Sequence, residues 1–173
     1  MNKYSPRARF AVLCACLIGG IVVLDQIVKW WARDVLQSMP GGTTSLIPGV
    51  MRLRYAENTG AAFSMWAGHT WLLGVLSAVL SAFIILLLYH FRNVKSNLLR
   101  ISLCFIAGGA LGNVIDRFTL GYVVDMLEFE TVRFAVFNVA DSFVCVGAVM
   151  FCFYILFFSN SGEQIERDQS DAG

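Results

Sequence analysis

Four long apolar blocks, separated by polar stretches, organise this chain. Residues 10–24 carry no charge, and the block reaches Trp31 if Asp25 and Lys29 lie near an interface. Residues 70–89 form an unbroken apolar run. Residues 98–115 form a further run with Arg100 near its start, closed by Asp116-Arg117, and residues 139–158 are interrupted only by Asp141 and Ser142 near their start. A helix of about 20 apolar residues crosses a bilayer core. Backbone in lipid must satisfy its own hydrogen bonds, so the blocks predict transmembrane helices over 10–31, 70–89, 98–115 and 139–158. Four crossings place both termini on one side.

The segments between the blocks differ in character. Met51-Arg52-Leu53-Arg54-Tyr55 alternates apolar and basic residues, the period of a half-buried strand, and Pro40-Gly41-Gly42 and Pro48-Gly49 are turn signals beside it. Residues 132–137 predict a second strand. The expected fold class is an α-helical membrane protein: four transmembrane helices, a small extracytoplasmic β-sheet lying on the membrane surface, and a loop or helix on the same side. Residues 1–158 make one integral-membrane domain. Residues 159–173, with Glu163, Glu166, Asp168 and Asp171, read as a solvated, disordered tail. There is no internal repeat.

Composition supports this reading. The 173 residues are 57% hydrophobic and 14% charged, whereas soluble domains carry about 25% charged residues to face water. A net charge of +1 without a clustered basic face argues against nucleic acid as a partner. Basic residues in short flanks set orientation. Lys3, Arg7 and Arg9 precede the first span, and Arg92, Lys95 and Arg100 fill the short second link, which assigns both segments to the cytoplasm. The other side holds Lys29, Arg33, Arg52, Arg54, Arg117 and Arg133, spread over longer segments. Trp30, Trp31, Trp66 and Trp71 all fall there, at the level where indole rings favour the headgroups. The basic start resembles a signal peptide, and Leu13-Cys14-Ala15-Cys16 a lipoprotein cleavage box. The apolar stretch before Cys16 is too short for an h-region and runs on to Leu24, so it reads as an uncleaved helix. Cys14, Cys16, Cys104, Cys145 and Cys152 all sit in apolar runs without disulfide or zinc spacing, and read as packing residues.

Ionisable groups at membrane depth are expensive and mark candidate functional positions. Asp25, Asp116, Asp125 and Asp141 all fall at the outer end of the predicted bundle, although they come from three separate stretches. Two close carboxylates cannot both ionise and share a proton, which is what an aspartyl dyad needs. Asp125 lies in the apolar Tyr122-Val123-Val124-Asp125-Met126-Leu127, a setting that raises its pKa. Asp141 opens the fourth span, where the helix dipole favours the anion. Asp125 is therefore expected to be the protonated member. Structural readings stand beside these. Asp141, three residues after Asn138, is placed to cap a helix. Asp116-Arg117 reads as an interfacial ion pair, and Asp25 and Lys29 as a pair on one helix face. Gly108, Gly109 and Gly112 form a small-residue packing pattern. No metal, phosphate-binding or serine-triad pattern is present, and nothing calls for a cofactor. These features permit an intramembrane aspartyl hydrolase or a small transporter with buried aspartates. The absence of inverted repeats and the clustering of carboxylates at one interface favour the hydrolase.

Five stretches, in order, resemble the lipoprotein signal peptidase (signal peptidase II) family. They are Asp25-Gln26-Ile27-Val28-Lys29, Asn58-Thr59-Gly60-Ala61-Ala62-Phe63-Ser64, residues 108–117, Gly121-Tyr122-Val123-Val124-Asp125, and Phe137-Asn138-Val139-Ala140-Asp141-Ser142. The resemblance covers about residues 10–158. It implies an aspartyl endopeptidase of the bacterial inner membrane that removes signal peptides from prolipoproteins, cutting before a diacylglyceryl-modified cysteine. By motif, Asp125 and Asp141 are the catalytic pair. Asn58, Asn113, Arg117 and Asn138 match positions that bind substrate or support the site, and Asp25, Lys29, Gly60, Gly109 and Asp116 match structural positions. Implied partners are lipid-modified prolipoproteins, membrane phospholipids and globomycin-type inhibitors, with the active site near the periplasmic face. Met126 stands where the family more often has Phe, a local packing difference.

Overall fold

The computed structural model of the protein describes residues 6–60, 68–94 and 96–170. Four long helices are present: α1 (Pro6–Trp31), α2 (Thr70–His90), α3 (Asn97–Thr119) and α4 (Val139–Ser170). All four are long and apolar enough to cross a membrane. Their outward faces carry side chains such as Leu86, Val149 and Leu156, each well over half exposed, which suits a lipid solvent. α3 is the central helix and packs against the other three. Its small residues permit that. A Cβ on Gly109 would strike the Ala140 carbonyl of α4, and one on Gly112 would lie 2.5 Å from a carboxyl oxygen of Asp25. The glycine pattern is therefore helix packing, as expected from its spacing.

A three-stranded antiparallel sheet, β1 (Thr43–Ile47), β2 (Met51–Asn58) and β3 (Val123–Phe129), covers one end of the bundle in the order β1-β2-β3. The β1–β2 hairpin turns at Pro48-Gly49, where Gly49 has φ 73° and Val50 N–H donates to the Ile47 carbonyl at 3.0 Å. Such a positive φ favours glycine. Beyond Trp31 the first helix continues as a wider π-helical turn, Ala32–Leu36. Ala32 and Leu36 bury against Val124 and Met126 of β3, with Leu53 and Tyr55 of β2 packed alongside. This small apolar core fixes the sheet to the end of α1, and Met126 belongs to it.

One expectation is corrected here. Residues 132–137 do not form a strand. The strand is β3, and only Phe137 pairs with it, exchanging backbone hydrogen bonds with Leu127. In α4 the backbone is helical through Ser170. Trp30 and Trp71 are exposed at the sheet end of the bundle. Trp66 and the Ala61–Ser64 part of the second motif lie outside the described residues.

Candidate active site

Asp125 sits in the middle of β3, and Asp141 in the first turn of α4. Two local features bring them together. Phe137, zipped to Leu127, delivers the chain to the start of α4 beside the strand. A register shift between Leu53 and Ala56 then sets Ala56 opposite Asp125 and Asn58 opposite Val123. Irregularities of this kind re-aim side chains.

Asn138 links the two aspartates directly. Its Nδ2 donates to Asp125 Oδ1 at 2.7 Å, and its Oδ1 accepts from Asp141 N–H at 2.9 Å. Asp141 Oδ2 in turn accepts from Asn138 N–H at 3.3 Å. That reciprocal pair is a capping box, with Asp141 at the third helical position. The cap expected of Asp141 is therefore present. Its other oxygen, Oδ1, accepts from Asn113 Nδ2 at 2.7 Å. Asp125 Oδ2 accepts from Asn58 Nδ2 at 2.9 Å, while Asn58 Oδ1 accepts from Gly60 N–H at 2.9 Å. Gly60 thus fixes the amide orientation that points Nδ2 at Asp125.

Asp125 is only 2% exposed. Burial, followed by the nearby charge of Asp141, pushes its pKa up from 3.8 to about 7, against the opposing hydrogen bonds from Asn58 and Asn138. At neutral pH this carboxyl is therefore poised between its two forms. The elevation expected from the apolar strand is present, with the expected cause.

Behind the aspartates lies a buried ionic layer. Lys29, 2% exposed, places its Nζ 2.9 Å from Asp25, 3.0 Å from Asp116 and 2.8 Å from Asn113 Oδ1. A lysine has three N–H donors, and all three are used. The Lys29 contact assigns Asn113 Oδ1 as acceptor, which turns Nδ2 toward Asp141. Asp25 Oδ1 accepts from Ala140 N–H at 2.9 Å, capping α4 from another helix. Asp116 Oδ2 accepts from Val124 N–H at 3.0 Å, tying α3 to β3. Gln26, which sequence reasoning left without a role, donates to Asp116 Oδ1 at 2.9 Å and to the Gly112 carbonyl at 3.2 Å. The only available signal for it was a polar residue between Asp25 and Lys29 inside an apolar block.

The Asp25–Lys29 pair is as expected, but Asp116-Arg117 is not an ion pair. Lys29 is the partner of Asp116. Successive residues on a helix point in different directions, so Arg117 cannot fold back on its neighbour. Among the described residues Arg117 makes no close ion pair and interacts electrostatically with Asp141, Asp125 and Asp116 together, and its Nε is buried without a hydrogen-bond partner. Asn58, Asn113 and Asn138 all touch an aspartate, whereas Gly109 touches neither and packs α3 against Ala140 and Val144 of α4. A cleft of about 980 Å³ opens beside Asp125, bounded by Arg52, Asn58, Glu128, Phe134 and Val136. Glu128 holds Arg52 at 2.6 Å and Arg54 at 2.8 Å across the sheet. The described residues contain no group of three or more His, Cys, Asp or Glu side chains placed to hold a metal.

Fold and site define a class: a four-helix integral membrane protein with two aspartates joined in one hydrogen-bond network at one end of its bundle. Known proteins narrow this. The family pattern described as Signal peptidase (SPase) II matches residues 17–157. A lipoprotein signal peptidase from Clostridioides difficile is 38% identical over 81% of this chain and 92% of its own length. One from Caldanaerobacter subterraneus is 41% identical over 82% and 94%, and one from Nostoc punctiforme is 44% identical over 73% and 78%. A solved bacterial membrane enzyme, 23% identical, superposes with a TM-score of 0.72 over 83% of this chain and 87% of its own, and so shares the fold. The chain belongs to the signal peptidase II family.

Proposed function

We propose that this protein is an intramembrane aspartyl endopeptidase that hydrolyses prolipoproteins on the N-terminal side of a diacylglyceryl-modified cysteine, with Asp125 and Asp141 as its catalytic pair. The observation that carries the reading is the single asparagine, Asn138, bonded to both aspartates, in a chain of this family. The ionised carboxylate takes a proton from water as the water attacks the scissile carbonyl. The protonated carboxyl donates to the carbonyl oxygen. Collapse of the tetrahedral intermediate then breaks the C–N bond, and a carboxyl proton passes to the leaving amine. Asp125, with a pKa near 7, supplies the proton. Asp141, held by the helix start and by Asn113, is the base.

Asn58, Asn113 and Asn138 orient the pair. Arg117 places positive charge beside it, and Asp25, Lys29 and Asp116 hold the helix ends in register. The sheet and the 118–138 segment form the walls of the cleft that receives the signal peptide. A substrate already anchored by its lipid arrives laterally, with the scissile bond near the interface. The aspartates then lie near the periplasmic face of the bacterial inner membrane, both termini are cytoplasmic, and globomycin-type peptides block the cleft.

Purified protein incubated with a diacylglyceryl-modified precursor is expected to release the signal peptide, and with an unmodified precursor to release far less. No cleavage of the modified precursor would overturn the proposal. Asn58→Ala removes a hydrogen bond that favours ionised Asp125. Cleavage is expected to fall as pH rises through about 7, because Asp125 loses its proton there. In Asn58→Ala the fall should move to higher pH, measured as initial rate against pH.

A further inference from the structure

At the opposite end of the bundle, α1, α3 and the link between α2 and α3 enclose a second groove of about 910 Å³. Arg9 lies about 24 Å along α1 from Asp25, at about 1.5 Å per residue, so the groove is separate from the aspartates. Its wall is apolar, with Phe10, Leu13 and Ile101, and its rim carries Arg9, Arg92 and Arg100. Among the described residues, no acidic residue lines it and none of the three arginines joins an ion pair.

Two of these arginines are held in place. Arg100 donates from Nη2 to the Val94 carbonyl at 2.8 Å, and its guanidinium lies 5.1 Å from the centre of the Phe10 ring. Its Nε is buried with no partner among the described residues. Arg92 donates from Nη1 to the Tyr89 carbonyl at 2.8 Å and lies 4.2 Å over the Tyr89 ring. Each guanidinium therefore has donors left over at a fixed position. A buried N–H without an acceptor is costly, and a phosphate group, like a carboxylate, has oxygens spaced to suit a guanidinium fork.

We infer that this groove binds an anionic phospholipid from the leaflet opposite the aspartates. Arg92 and Arg100 grip the phosphate, Arg9 supplies further positive charge, and one acyl chain lies along Phe10, Leu13 and Ile101. Basic pockets between transmembrane helices suit this class of headgroup. Three cations without a carboxylate favour a net negative headgroup over a zwitterionic one, whose ammonium they repel.

Native mass spectrometry of the full chain, offered equal phosphatidylglycerol and phosphatidylcholine, reads the preference directly. The wild type is expected to retain phosphatidylglycerol several-fold more. Arg92→Gln/Arg100→Gln should remove the preference by losing the phosphate grip. Leu13→Trp, which keeps every charge but fills the groove, should reduce retention and serves if the double variant does not fold. Arg33→Gln, at the other end of the bundle, should keep the preference. Equal retention of both lipids by the wild type would overturn the site, as would an unchanged preference in the groove variants. So would a preference that appears only after residues 159–173 are removed, because the acidic C-terminal segment would then be the occupant.

Discussion

Asp125→Asn is expected to lower cleavage of a lipid-modified precursor by about 10³-fold, the scale of a lost proton-transfer group, while helix content and membrane insertion are retained. Asp141→Asn should do the same. Each substitution keeps the shape of the side chain but replaces an acceptor oxygen with an amide donor. In Asp125→Asn that amide meets Asn58 Nδ2 or Asn138 Nδ2, both already donors at this carboxyl. In Asp141→Asn it meets Asn113 Nδ2 or the Asn138 N–H. A gel-shift assay of precursor processing, beside circular dichroism, separates lost chemistry from lost fold. Because the two groups act as a unit, the double variant should be little worse than either single one. Wild-type rates in either single variant would remove that residue from the reaction.

Lys29→Met is expected to be the most damaging single change to stability. It leaves Asp25 and Asp116 buried, 0% and 2% exposed, without their shared cation. Removing one partner of a buried ionic cluster costs about 3–5 kcal/mol, which for a chain of this size corresponds to a fall in Tm of about 10 °C. Both carboxylates also brace other elements, Asp25 through Ala140 of α4 and Asp116 through Val124 of β3. The loss should therefore reach the active site and lower activity too. Adding Asp25→Asn and Asp116→Asn to Lys29→Met removes the uncompensated charge and should recover part of the Tm, because neutral amides still reach the same backbone N–H groups. A Lys29→Met protein that melts with the wild type would show that the layer contributes nothing to stability.

The spans were legible because a bilayer imposes both length and polarity on a helix, and few other constraints compete with those. The aspartates were legible for the complementary reason: a charge inside an apolar block needs an explanation. Strand β3 was not. Residues 123–126 are all buried, so the strand shows no alternation, whereas residues 132–137 are a short β-branched and aromatic run that imitates one. The Asp116-Arg117 pairing failed because adjacency in sequence is not adjacency on a helix surface, and the true partner, Lys29, comes from α1. Asn138 illustrates what pattern reading leaves open. Its spacing to Asp141 is that of a cap, and only the position of β3 reveals that the same side chain also reaches Asp125.

Everything in the mechanism turns on the pair holding one proton, on Asp125, below about pH 7. Infrared difference spectroscopy of the purified protein reads this directly from the C=O stretch of a protonated carboxyl. The wild type should show that band at pH 5.5, lose it with a midpoint near pH 7, and lack it in Asp125→Asn. Asp141→Asn should keep the band but lose it at lower pH, because the neighbouring negative charge is gone. A wild-type protein without the band at pH 5.5, or a band that persists unchanged in Asp125→Asn, would contradict the account.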